Sequence, residues 1–152
     1  MNHSPFSFAF LQGAITPTHI AEIVQQNAAM LTLGAHSLFL GQVRADEKEN
    51  GSITAIEYTC YAEMATAQIQ KIITLHSTQY ALKSVFIYHS IGTVAIGEIC
   101  LCVAVGAAHR KEAIEACQSI VESIKKEVPI WGREIINEST SIWKTNHFSS
   151  SQ

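Results

Sequence analysis

The apolar positions of this chain change period several times, and each change marks an element. Thr16-Pro17 reads as an N-cap followed by proline at the first helical position, predicting a helix over 17–30. Gly34 then allows a strand: Leu38, Phe39, Leu40 and Val43 make a β-like apolar run that ends at Arg44. The stretch Ala45-Asp46-Glu47-Lys48-Glu49-Asn50-Gly51 is charged and is expected to be a solvated, mobile connection. Residues 53–60 are rich in β-branched and aromatic side chains and predict a strand, whereas Ala65, Ile69, Ile72 and Ile73 fall on helical spacing. Strand character returns over 83–89 and 94–105, with a turn expected at Gly92 between them. The clearest helix follows, its buried stripe marked by Ala113, Cys117, Ile120, Val121 and Ile124. Pro129 should stop it near Val128, because a residue preceding proline is pushed out of helical geometry. Residues 130–136 then read as extended, with a short last strand around Trp143.

The order α-β-β-α-β-β-α-β predicts an α+β fold whose sheet is mostly antiparallel. A chain of 152 residues is expected to form one domain, 1–152, with a substantial core. Its 47% apolar and 15% charged residues suit a globular protein, and a net charge of −3 gives no general reason to bind nucleic acid or an anionic membrane. No apolar run approaches the roughly 20 residues that span a bilayer, and the apolar residues of 1–14 have no basic segment before them. A cytoplasmic location is expected. Cys60, Cys100, Cys102 and Cys117 lack CxxC spacing and are expected to be reduced core thiols, with Cys100 and Cys102 on one face of a strand. The histidines show no ligand spacing, so neither a metal nor another cofactor is expected. There is no glycine-rich phosphate loop, dinucleotide fingerprint or GxSxG elbow.

Charge placement adds the chemistry. In Val105-Gly106-Ala107-Ala108-His109-Arg110-Lys111 three basic side chains stand where a helix begins, although cations are disfavoured by roughly 0.3–1 kcal/mol at the positive end of the macrodipole. One reading is a site for a phosphate or carboxylate, held by backbone N–H groups and side chains together. The other is a solvated first turn partly balanced by Glu112. At the far end of the same helix Lys126 suits the negative pole and follows Glu122 at the favourable spacing of four. Lys125 adjoins Ile124 and follows Val121 by four, which puts it at the margin of the buried stripe. A partly desolvated lysine there can act in proton transfer, or simply lay its stem along apolar surface.

These segments together resemble the large, catalytic subunit of molybdopterin synthase. The resemblance covers roughly 34–143, through Gly34-Ala35-His36-Ser37-Leu38-Phe39-Leu40-Gly41-Gln42-Val43-Arg44, Glu57-Tyr58, His89 with Gly92, Ala108-His109-Arg110, and Lys125 through Pro129-Ile130-Trp131. It implies an α/β hammerhead-like fold with a small antiparallel β subdomain. The implied activity is sulfur insertion into cyclic pyranopterin monophosphate, giving molybdopterin. The implied partner is a small ubiquitin-like sulfur carrier whose C-terminal thiocarboxylate threads into the large subunit, two large subunits forming a homodimer within a heterotetramer. Lys125 matches the family's essential lysine, and Arg44, His109 and Arg110 match positions that bind the anionic substrate. Two positions depart: Gly132 stands where members commonly carry a second lysine, and Ser90 where many carry arginine. Arg133 or Lys126 is expected to supply the missing charge, although a guanidinium cannot serve as a neutral amine. The rival readings are a non-catalytic partner-binding scaffold and an anion-binding regulatory domain.

Overall fold

The computed structural model describes residues 4–136 and 140–145. In chain order these form β1 (Phe6–Gln12), α1 (Pro17–Ala28), β2 (Ala35–Gln42), β3 (Glu47–Lys48), β4 (Gly51–Cys60) and α2 (Ala62–Gln79). There follow β5 (Ser84–Ala95), β6 (Ile99–Ala107), α3 (Arg110–Glu127), β7 (Ile130–Ile136) and β8 (Thr140–Thr145). The strands join in the order β2-β6-β5-β4-β7-β8, with β1 beside β5 and β3 beside β4. Every pairing is antiparallel except β1 with β5, which makes the molecule α+β with a mostly antiparallel sheet.

Strand pleat explains why β6 is buried from Cys100 to Ala107. Leu101, Val103 and Val105 face α2 and α3 together with Val85 and Ile87 of β5, whereas Cys102 and Ala104 face Ile23 of α1 together with Phe86. The central strands are thus covered on both faces. α1 opens as the Thr16-Pro17 signal predicts, and His19 completes its cap: the Thr16 N–H donates to His19 Nδ1 at 3.0 Å. α3 stops at Glu127, and Val128 takes extended geometry ahead of Pro129.

Four expectations are corrected. Residues 6–12 form a strand, β1, lying parallel to β5 from Phe6 opposite Val85 to Gln12 opposite Ile91. The charged connection after Arg44 is not only a loop, since Glu47 and Lys48 pair with Ser52 and Gly51 in a tight hairpin. Gly92 is not a turn: β5 continues through it with φ +84°, and the reversal comes at Gly97, φ +83°. What changes at Gly92 is the neighbour, because β6 pairs with Ser84 to His89 whereas β4 pairs with Gly92 to Ala95. Finally, Cys100 and Cys102 do not share an environment. The register between β2 and β6 slips by one residue after Gly41, which pairs with Leu101 while Gln42 pairs with Ile99. This bulge leaves Cys100 opposite no partner, and it packs with the α3-side core while Cys102 packs beneath α1.

Candidate functional site

The end of β2, the bulge in β6, β4, β7 and the last turns of α3 converge on a cavity of about 320 Å³. Gly41 and Arg44 border it from the β2 side, Ile56 and Tyr58 from β4, Cys100 from β6, Lys125 from α3 and Gly132 from β7. Lys125 is half-buried beside the fully buried Ile124, as its place on the helix margin requires. The alternating burial of β7 turns Gly132 and Glu134 inward and Arg133 outward. A side chain at 132 would have little room, since an added Cβ would stand 2.9 Å from Ile56 Cγ2 and 3.3 Å from Tyr58 Cε1.

Electrostatics divide the wall into a neutral side and a charged side. Tyr58 is held well above the ordinary phenol range by burial, reinforced by Cys100 and their side-chain hydrogen bond, so its hydroxyl stays protonated. The Cys100 thiol lies 3.4 Å from the Gly41 carbonyl, to which it donates. Behind Tyr58, with ring centroids 5.3 Å apart, sits the fully buried His89. Burial lowers its pKa to about 4, opposed by a hydrogen bond to the Ser90 carbonyl and assisted by the Lys125 charge. Because a carbonyl only accepts, Nδ1–H is the donor in that 2.8 Å bond, and Nε2 is left unprotonated. On the charged side Arg44 is largely exposed and donates to Asp46 at 3.2 Å.

The structure brings together some of the sequence candidates and separates others. Arg44, Lys125 and Gly132 share the cavity. His109 is the exposed N-cap of α3 and Arg110 its first residue, which places them about 22 Å from Lys125 along the helix axis. Arg133 is not at the cavity: it lies on the opposite face of β7 and pairs with its cross-strand neighbour Glu57 at 2.8 Å. Lys126 is exposed on the outer side of α3. Neither occupies the space that a side chain at 132 would fill. Sequence reasoning gave no role to Tyr58, Cys100 or Asp46, and only the register slip explains why Cys100 reaches the cavity. Among the described residues no three His, Cys, Asp or Glu side chains gather as metal ligands would.

Comparison with known proteins adds a family. The model for the family described as MoaE protein matches residues 13–127. A Rattus norvegicus protein named molybdopterin synthase catalytic subunit is 37% identical over 113 residues, which are 74% of this chain and 56% of that protein. A Pyrococcus abyssi protein of the same name is 38% identical over 105 residues, 69% of this chain and 70% of its own. The match thus spans little more than half the length of the mammalian relative. Among solved structures, molybdopterin synthase from Staphylococcus aureus superposes with a TM-score of 0.77 at 28% identity, covering 94% of this chain and 98% of that one. A complex of subunits 1 and 2 of molybdopterin-converting factor from Helicobacter pylori 26695 gives 0.76 at 24% identity, covering 90% and 88%, and matches in fold.

Proposed function

This chain belongs to the MoaE protein family, and from that membership we propose that it is the catalytic subunit of a molybdopterin synthase. In this reading it converts cyclic pyranopterin monophosphate to molybdopterin, using sulfur from the C-terminal thiocarboxylate of a small ubiquitin-like partner. The observation that carries the reading is the convergence of Lys125 and Arg44 on one cavity with a neutral, hydrogen-bonding back wall. Arg44 holds anionic substrate, exchanging its exposed pairing with Asp46 for a charge-assisted bond to phosphate. Lys125 stands beside the thiocarboxylate, moving a proton or stabilising charge as sulfur adds to the pterin side chain.

His109 and Arg110 complete the substrate site if two copies pair through β2. No strand of the described residues covers the outer edge of β2. Its register sets Ala35 opposite Ala107, near the start of α3, and Gly41 opposite Leu101, at the cavity. Antiparallel pairing of two such edges about a two-fold axis would carry one copy's His109 and Arg110 toward the other's Arg44 and Lys125. The eight residues of β2 span roughly 27 Å, close to the separation along α3.

Purified chain, thiocarboxylated partner and pterin substrate test the activity directly. Lys125→Ala is expected to lower product formation by at least about 100-fold, the scale of a lost acid or base, with folding intact. Lys125→Arg should fail as well if a proton must move. Retention of activity within a factor of two would reject the assignment. Mixing Lys125→Ala with Arg110→Ala tests the shared site: exchanged dimers hold one intact site, restoring about a quarter of wild-type turnover, whereas sites contained in single chains restore none.

A further inference from the structure

The connection from β2 to β4 carries two cations to the cavity side of the sheet, each seated on a carboxylate. Arg44 rests on Asp46 at 3.2 Å, and Lys48 of the hairpin reaches Glu134 of β7 at 3.8 Å. The second pair is the less expected, because the Glu134 side chain is only 7% exposed while Lys48 remains 40% exposed. Glu134 lies two residues beyond Gly132 on the inward face of β7, about 7 Å along the strand from the cavity wall. At 3.8 Å the ammonium is beyond the 2.7–2.9 Å usual for a charge-assisted hydrogen bond, so Coulomb attraction holds it rather than locked geometry. The hairpin itself borders the cavity, through Asp46 before it and Ile53 after it.

We propose that Lys48 is a further anion-binding residue of this cavity, which leaves Glu134 for a ligand oxyanion that enters beside Gly132. The proposal rests on reading the cavity as the seat of an anionic substrate. A flexible four-carbon stem and a compact point charge suit this exchange, since neither partner demands a planar fork. Glu134 then acts as a competitor: it holds the ammonium near the cavity and opposes its transfer to the ligand. Arg133 pairs with Glu57 on the other face of β7 and Lys126 is exposed on α3, whereas the Lys48 ammonium is set against an inward-facing carboxylate of β7.

The competition gives the two partners opposite signs, which a merely structural latch does not. Inorganic phosphate is titrated at low ionic strength into wild type, Lys48→Met, Lys48→Arg and Glu134→Gln, following the backbone amides of Gly41 and Gly132 by ¹⁵N NMR. Lys48→Met is expected to weaken binding about tenfold, Lys48→Arg to stay near wild type, and Glu134→Gln to tighten binding several-fold. The proposal is overturned if Lys48→Met binds within twofold of wild type, if Glu134→Gln binds more weakly, or if phosphate moves neither amide in wild type. Product formation by Lys125→Ala is read separately, so an anion site that obeys these signs survives a failure of the synthase reading.

Discussion

At the residue scale the inward face of β7 and the buried histidine behind the cavity make the sharpest demands. Gly132 does not have positive φ, so its need for glycine is steric. Gly132→Ala should cost about 1–3 kcal/mol through overpacking against Ile56 and Tyr58, and Gly132→Lys at least as much, measured as urea midpoints. Wild-type stability in both variants would show that the wall gives way freely. His89 carries a different signature. Its pKa falls from 6.5 in the ordinary imidazole to about 4 when folded, so between those values the unfolded chain binds more protons. Stability is complete above pH 6.5 and declines as pH drops toward 4, by about 3 kcal/mol from this group. Urea midpoints measured from pH 7.5 to 4.5 should therefore fall more steeply for wild type than for His89→Gln; parallel curves would clear His89. The cavity-side place of Lys125 was legible in the sequence as a lysine at the margin of a buried stripe, whereas Arg44 was singled out only by the family resemblance. The facing of Arg133 was not, because the odd and even residues of β7 look alike until the buried side of the sheet is known.

At the element scale β5 decides the architecture. Its first part pairs with β1 and β6 and its last four residues with β4, so the two parts of the sheet share one strand. The handover falls at Gly92, where φ is +84° and an added Cβ would run into the Gln12 side chain. Gly92→Ala is expected to destabilise by about 1–3 kcal/mol, and Gln12→Ala should not rescue it, because the backbone strain persists after the neighbour is gone. Full rescue in the double variant would assign the cost to the contact instead. A glycine inside a strand and a glycine in a turn give the same local signal, and only the distant partner β4 separates them. β1 was more accessible: Phe6, Phe8 and Phe10 alternate with smaller residues at the period of a strand. The helices were the most legible, since their caps and stripes are written within the elements themselves.

At the scale of the whole molecule, the α+β class followed from periods of burial that each segment carries locally. The distance between the two basic clusters did not, because it requires α3 to be a straight element of known ends. That distance makes self-association a physical prediction. The chain should be a dimer in light scattering at micromolar concentration, and Leu38→Lys with Leu40→Lys, two residues 38% and 40% exposed on the open edge strand, should give monomers. A wild-type monomer, or dimers that ignore both lysines, would remove β2 as the seam.

The cavity wall includes glycine at both 41 and 132, so part of its volume is room that side chains would otherwise take. The two positions differ in tolerance: a Cβ at 41 meets Leu101 at 3.4 Å, an ordinary contact, whereas one at 132 is crowded at 2.9 Å. Position 41 is therefore a dial for ligand size. Alanine, serine and valine there would narrow the chamber in graded steps without touching a charge, and the largest molecule each variant admits would read out the dimensions of what this chamber evolved to hold.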